Sequence, residues 1–179
     1  QCLKQGQVLA YPTEAVWVLG CDPYNEQAFL DILQIKQRPI EKGVILLAGQ
    51  IAQVEPLLEH LDPHIRQQVI ESWSDRSPSE RATTWLLPAN EHIPTWIKGN
   101  HPKVAVRVTT HPICVALCNA FQGFIVSTSA NPAGLPPARS LQDANHYFAQ
   151  QVNYLNGDLG LSQEPSRILD AETGAVVRA

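Results

Sequence analysis

The chain of 179 residues carries 17 Asp and Glu against 13 Lys and Arg, a net charge of −4, with 44% hydrophobic and 17% charged residues. That composition is ordinary for a globular protein, excludes disorder and coiled coil, and opposes broad nonspecific affinity for nucleic acid; a single domain over 1–179, burying about 70% of its unfolded surface, folds without staples. No apolar run approaches the roughly 18 residues needed to span a bilayer, and Gln1 opens no basic-then-apolar signal segment, so a cytoplasmic protein is expected.

In chain order, short apolar runs rich in β-branched residues alternate with helix-like segments, which predicts an α/β domain with a twisted, mixed parallel and antiparallel sheet. VLAY (8–11) and GVILLAG (43–49) read as strands. Between them, EQAFLDILQI places Phe29, Leu30, Ile32, Leu33 and Ile35 at helical spacing, and that helix should end near Lys36. Asp62-Pro63 opens a second helix with Ile65, Val69 and Trp73 on one face. TTWLLP (83–88) and KVAVRV (103–108) are further strands, and SDRSPSERA (74–82) is polar enough for a mobile loop. The helix from Pro112 to Phe121 leads into the strand FIVS; Ser140 with Asp143 forms a capping box before LQDANHYFAQQ. The tail RILDAETGAVVR reads as two strands around a turn at 172–174.

Cys2, Cys21, Cys114 and Cys118 form no CxxC pair; Cys114 and Cys118 fall on one helix face, where buried small hydrophobes are expected rather than metal ligands. Six scattered histidines lack metal-site spacing, and His111 before Pro112 reads as a turn residue. No GxSxG elbow, GxxxxGK[ST] or GxGxxG occurs, so a serine nucleophile, a P-loop and a Rossmann phosphate site are all excluded at motif level.

Two stretches carry chemistry. KQRPIEKG (36–43) gathers Lys36, Arg38 and Lys42 on a turn locked by Pro39. Cations in a last helical turn complement the macrodipole, so helix termination alone accounts for them; an anionic ligand is the sharper reading. In GFIVSTSANPAGLPPARS, a strand runs into Ser127, Thr128, Ser129 and Asn131. Short hydroxyl and amide groups at a strand's carboxyl end sit where ligands of open α/β sheets bind and can donate to phosphate oxygens. An ordinary polar turn is the alternative.

AYPTEAVWVLGCDP (10–23), LQIKQRPIEKGVILLAG (33–49), VAVRVTTHP (104–112), IVSTSANPAGLPP (125–137) and PSRILD (165–170) resemble successive blocks of the YrdC family, in order and through nearly the whole chain. The resemblance is to the bacterial single-domain type, and it implies a twisted α/β sheet around a large, positively lined concave cleft. It implies an enzyme that makes threonylcarbamoyl-adenylate from L-threonine, bicarbonate or carbon dioxide, and ATP, with Mg2+ accompanying the ATP and pyrophosphate released. Partner proteins would then carry the threonylcarbamoyl group to the tRNA adenosine beside the anticodon.

By the same resemblance the KxR motif falls on Lys36 and Arg38, as catalytic and phosphate-binding groups, and SxN on Ser129 and Asn131, with Ser127 beside them. Thr13 is placed near a threonine pocket, Arg107 on the amino-acid carboxylate, and Ser166 and Arg178 on the nucleotide side. No metal ligand from the protein is identified.

Two places depart from the family pattern. Val18 stands where a glycine is usual, and SDRSPSERATTW replaces a compact Trp-Pro-Gly-Pro turn. Arg76 and Arg81 in that tract could reach phosphate, but solvated surface charge is the expected state of both. A grip on double-stranded RNA or tRNA without catalysis is the competing function, and carbamoyl transfer as in domains of hydrogenase-maturation proteins a third; the first would weaken with salt and ignore threonine.

Overall fold

The computed structural model describes residues 1–39, 43–74 and 76–179. Its spine is a nine-stranded sheet in the order β7-β1-β2-β6-β3-β5-β4-β8-β9. The strands are β1 (Leu9–Pro12), β2 (Trp17–Gly20), β3 (Ile45–Ala48), β4 (Thr83–Pro88), β5 (Lys103–Val108), β6 (Ile125–Ser129), β7 (Asn153–Tyr154), β8 (Arg167–Asp170) and β9 (Val176–Arg178). β1–β7, β3–β5 and β4–β8 pair in parallel and the remaining neighbours antiparallel, so the sheet is mixed as expected.

Alternation along the strands gives the two faces different tasks. Trp17, Leu19, Leu46, Val106, Val126, Trp85 and Leu87 join one core with Phe29, Ile32 and Leu33 of α1 (Glu26–Lys36), Val69 and Trp73 of α3 (Pro63–Ser74), and Phe148 of α6 (Leu141–Phe148). On the other face Tyr11, Val18, Leu47 and Ile125 pack with Cys114 and Cys118 of α5 (Pro112–Phe121). Both cysteines are free and fully buried hydrophobes, as their spacing indicated. Two one-turn helices, α2 (Glu55–Leu58) and α4 (Thr95–Lys98), fill the connections. α5 covers only part of its face; the rest of that face is the floor of a cavity.

Local chemistry sets the element ends. The Asn25 side chain accepts from the Ala28 N–H at 3.0 Å and caps α1. At the other end Gln37 takes a left-handed conformation, φ 52°, which turns the chain so that Lys36 and Arg38 leave in different directions. Gly20 is demanded by close approach, since a Cβ there would lie 2.3 Å from the Val126 carbonyl oxygen. The capping box at Ser140 is half formed. The Ser140 hydroxyl accepts from the Asp143 N–H at 3.0 Å, but the Asp143 carboxylate turns back to the Arg139 N–H, also at 3.0 Å.

Candidate functional site

A cavity of about 510 Å³ opens on the uncovered sheet face. One row of its floor crosses five strands in register, Ser127, Ile45, Ala105, Leu86 and Asp170, so the pleat alone directs these side chains to the same side. Ser127 and Ser129 therefore work from within β6, the fourth strand of the order, rather than from a crevice beyond its carboxyl end. Val18, opposite Ser129 in β2, is buried and also lines the cavity, so the side chain found where a glycine was usual narrows this wall.

Charge is unevenly distributed around the cavity. Arg38, Lys98, Lys103, Arg107 and Arg178 line it against the carboxylates of Glu14, Glu164 and Asp170, a positive surplus in a chain of net charge −4. Burial, and then the nearby Arg81, Arg107 and Arg38, lower the pKa of Arg178, which registers guanidinium groups converging on one space. Arg178 is held there by a fork onto Ser166, with Nη2 donating to the carbonyl at 2.6 Å and to the hydroxyl at 3.2 Å; Thr84 meets the same hydroxyl at 2.7 Å. At the opposite rim Lys103 is tied to Asp170 at 2.7 Å and Glu172 at 2.6 Å.

The KxR turn divides its two cations. Arg38 is half-buried on the cavity wall, its Nη2 donating to the Gly43 carbonyl at 2.9 Å and its buried Nε without an acceptor among the described residues. Lys36 is buried and lies behind the cavity lining. Its ammonium donates to the Ser129 carbonyl and to the Asn131 carbonyl at 2.9 Å, while its own carbonyl accepts from the Ala133 N–H at 3.0 Å. Burial first, then Arg38, lowers its pKa to about 7. Asn131 is likewise occupied with its loop, its amide donating to the Leu135 carbonyl at 2.7 Å. In this state Lys36 and Asn131 fix the loop that carries Ser129, whereas Arg38 faces the open space. Lys42, the third cation of the turn, lies outside the described residues.

At the other end sits a carboxylate that the sequence argument left without a role. Glu14 is buried, and Arg107 Nη1 donates to its Oε2 at 2.6 Å, Thr109 to its Oε1 at 2.8 Å, and Arg76 Nη2 to its Oε1 at 3.0 Å. Burial alone would raise its pKa, but Arg107 and the hydrogen bonds hold it down at about 2. Gly160 lets the chain pass close behind, since a Cβ there would stand 2.8 Å from the Glu14 Cα. Thr13 is locked by donating to the Val16 carbonyl at 2.8 Å, which shapes the turn that presents Glu14. Glu14 had a signal: it is the single charged residue between Lys4 and Asp22, inside an apolar run, and a buried charge demands partners.

The expectation of solvated charge at Arg76 is overturned. Its side chain is 4% exposed because the buried Glu14 carboxylate and the Thr110 hydroxyl, at 2.7 Å, draw it inward. Arg81 is half-exposed and tied to the Pro165 carbonyl at 2.6 Å and to Glu164 at 3.0 Å. The tract that reads as mobile is thus fastened at both ends of its described part. His111 keeps the turn position ahead of α5, and its Nε2 meets the Asp158 carbonyl at 3.0 Å.

The Sua5/YciO/YrdC family, described as telomere recombination, matches residues 1–179. The chain belongs to this family. Within it, a threonylcarbamoyl-AMP synthase from Acinetobacter baumannii is 72% identical over 178 residues, covering 99% of this chain and 94% of that protein. One from Cellvibrio japonicus is 49% identical over 177 residues, covering 98% and 90%. P. abyssi Sua5 complexed with L-threonine has a TM-score of 0.81 at 27% identity over 94% of this chain, which spans 48% of that protein's length. E. coli YciO, at a TM-score of 0.80 and 23% identity, covers 98% of this chain and 84% of its own, and shares the fold. These structures share the α/β fold with its mixed sheet and flanking helices. Of the residues expected to form the site, Thr13, Arg38, Arg107, Ser127, Ser129, Ser166 and Arg178 line the one cavity, with Lys36 and Asn131 directly behind Ser129.

Proposed function

We propose that this cavity joins L-threonine, bicarbonate or carbon dioxide, and ATP into threonylcarbamoyl-AMP, with release of pyrophosphate. The observation that carries the reading is the convergence of Arg38, Arg107 and Arg178 on one buried-floored space where cations outnumber carboxylates. The reaction brings together a triphosphate, a carbamate and a carboxylate, which repel one another. Fixed guanidinium groups offset that repulsion without reorganisation.

No protein nucleophile is required. The threonine amine attacks carbon dioxide and loses a proton; the carbamate oxygen then attacks the α-phosphorus, and pyrophosphate leaves. Positioning and charge stabilisation supply the rate. Arg107 and Thr13 stand at the amino-acid end, Arg38, Ser127 and Ser129 along the phosphates, and Ser166 with Arg178 on the nucleotide side. Lys36 and Asn131 hold the Ser129 loop. Mg2+ enters with the substrate as MgATP, held largely by phosphate and water.

The product is a reactive mixed anhydride, which suits direct handover to partner proteins that modify the adenosine beside the tRNA anticodon. The net charge of −4 favours that route over a grip on tRNA itself. No helix among the described residues is long and apolar enough to cross a membrane, and chemistry that uses ATP to serve tRNA fits the cytoplasm.

Calorimetric titration of MgATP, with and without L-threonine, tests the reading. Tighter ATP binding with threonine, and pyrophosphate release only when bicarbonate is also supplied, are expected. Binding indifferent to threonine, or pyrophosphate release that ignores bicarbonate, would overturn it.

A further inference from the structure

The Glu14 carboxylate is shared by two guanidinium groups that approach it from different sides. Glu14 and Arg107 line the cavity; Arg76 does not, and reaches Glu14 from behind. Arg76 is committed three ways, to Glu14 Oε1 at 3.0 Å, to the Thr110 hydroxyl at 2.7 Å and to the Glu80 carbonyl at 2.9 Å. Arg107 keeps a buried Nε with no acceptor among the described residues, and its side chain is 7% exposed. Two buried cations per carboxylate leave a surplus positive charge and an unused donor beside the cavity, which a second carboxylate would balance.

We propose that Arg76 is a positioning residue that sets the affinity of this site for the carboxylate of its amino-acid substrate. Holding Oε1 from behind together with the Thr109 hydroxyl, Arg76 limits Glu14 to one oxygen on Arg107, so the rest of the Arg107 fork stays available to the incoming carboxylate. Without Arg76, Oε1 keeps only the neutral Thr109 hydroxyl, the local charge falls to zero, and the full charge of the Glu14 carboxylate is drawn onto Arg107, where it competes with the substrate's. The inference rests on the reading of the protein as a threonine-using synthase.

The experiment is steady-state pyrophosphate release by the full chain with L-threonine and MgATP varied in turn. Arg76→Gln is expected to raise KM for threonine by about tenfold or more, the scale of one lost charge-assisted contact, with KM for ATP within about twofold. Arg76→Lys keeps the charge but not the fork and should recover part of the loss. Thr110→Val, which removes one of the three anchors, should raise KM for threonine severalfold in the same direction. An unchanged KM for threonine in Arg76→Gln, or equal rises for threonine and ATP, would overturn the inference. Should Arg76→Gln fail to fold by circular dichroism, Thr110→Val and Arg76→Lys decide the matter by the same split. A wild-type protein without threonine-dependent release would remove the functional reading and this inference together; an active wild type with an indifferent Arg76→Gln removes the inference alone.

Discussion

The two ends of the cavity handle buried positive charge in opposite ways. At the Glu14 end, Arg107 and Arg76 share one carboxylate, so one of the two charges is compensated before any ligand arrives. At the KxR end, Lys36 and Arg38 meet only carbonyl oxygens among the described residues, and these orient a cation without neutralising it. Burial lowers the pKa of Lys36 and of Arg38 but Arg107 is held above its ordinary value, burial being outweighed there by Glu14. One end is pinned by an ion pair and keeps a single surplus charge; the other is held by neutral dipoles alone, and an anion relieves its larger electrostatic cost on binding.

Removing the compensation should have the largest effect. Glu14→Gln leaves two guanidinium groups buried without their counter-ion and should cost about 3–5 kcal/mol in urea unfolding. The acid limb should change with it. The folded pKa of Glu14, about 2, lies below its ordinary 4.5, so its contribution is fully present above pH 4.5 and is lost as pH falls toward 2. Glu14→Gln should show a shallower loss of stability across that window. A variant as stable as wild type would mean that the two ends do not differ as described.

Removing an uncompensated cation should instead spare the fold. Arg38→Ala deletes a charge whose partner among the described residues is one carbonyl, and it should lower pyrophosphate release about 10–100-fold, the worth of one or two charge-assisted bonds, with a thermal midpoint within a few degrees of wild type. Unaffected release would remove Arg38 from the reaction. A collapse of stability would place it with Glu14 among the structural ions.

These contrasts show which parts of the molecule could be read from residues alone. TTWLLP, KVAVRV and the helix 112–121 were legible to the residue, because period and Pro or Gly punctuation are local signals. β2 was missed as an element, since WVLG is buried on both sides and shows no alternation, and β7, two residues long, is too short for any pattern. The site followed the same division. The KxR and STSAN stretches announced cations and hydroxyls, but the destination of Lys36 depends on carbonyls 93 and 95 residues away. The burial of Arg76 depends on Glu14, 62 residues distant, so a polar tract reads as surface until the fold supplies its partner. Local pattern gives the inventory of groups; long-range pairing decides which of them face the ligand.

The finest test of the comparison is a proton count. Lys36 titrates at about 7 in the folded protein against an ordinary 10.5, so between those values the unfolded chain holds more of the proton and stability rises with pH; below 7 the penalty is present in full. A triphosphate arriving at the Ser129 side of the cavity adds negative charge next to the ammonium and restores its preference for the proton. Binding of MgATP at pH 8 should therefore take up roughly 0.9 of a proton if Lys36 returns close to its ordinary value. The uptake is read as the slope of calorimetric enthalpy against the ionisation enthalpy of the buffer. Lys36→Met should abolish it, while Arg38→Ala, which removes a neighbouring cation and so raises the unliganded pKa, should only diminish it. Equal enthalpies in every buffer for the wild type would show that Lys36 serves its loop and feels no anion, leaving Arg38 as the sole member of the motif in contact with the chemistry.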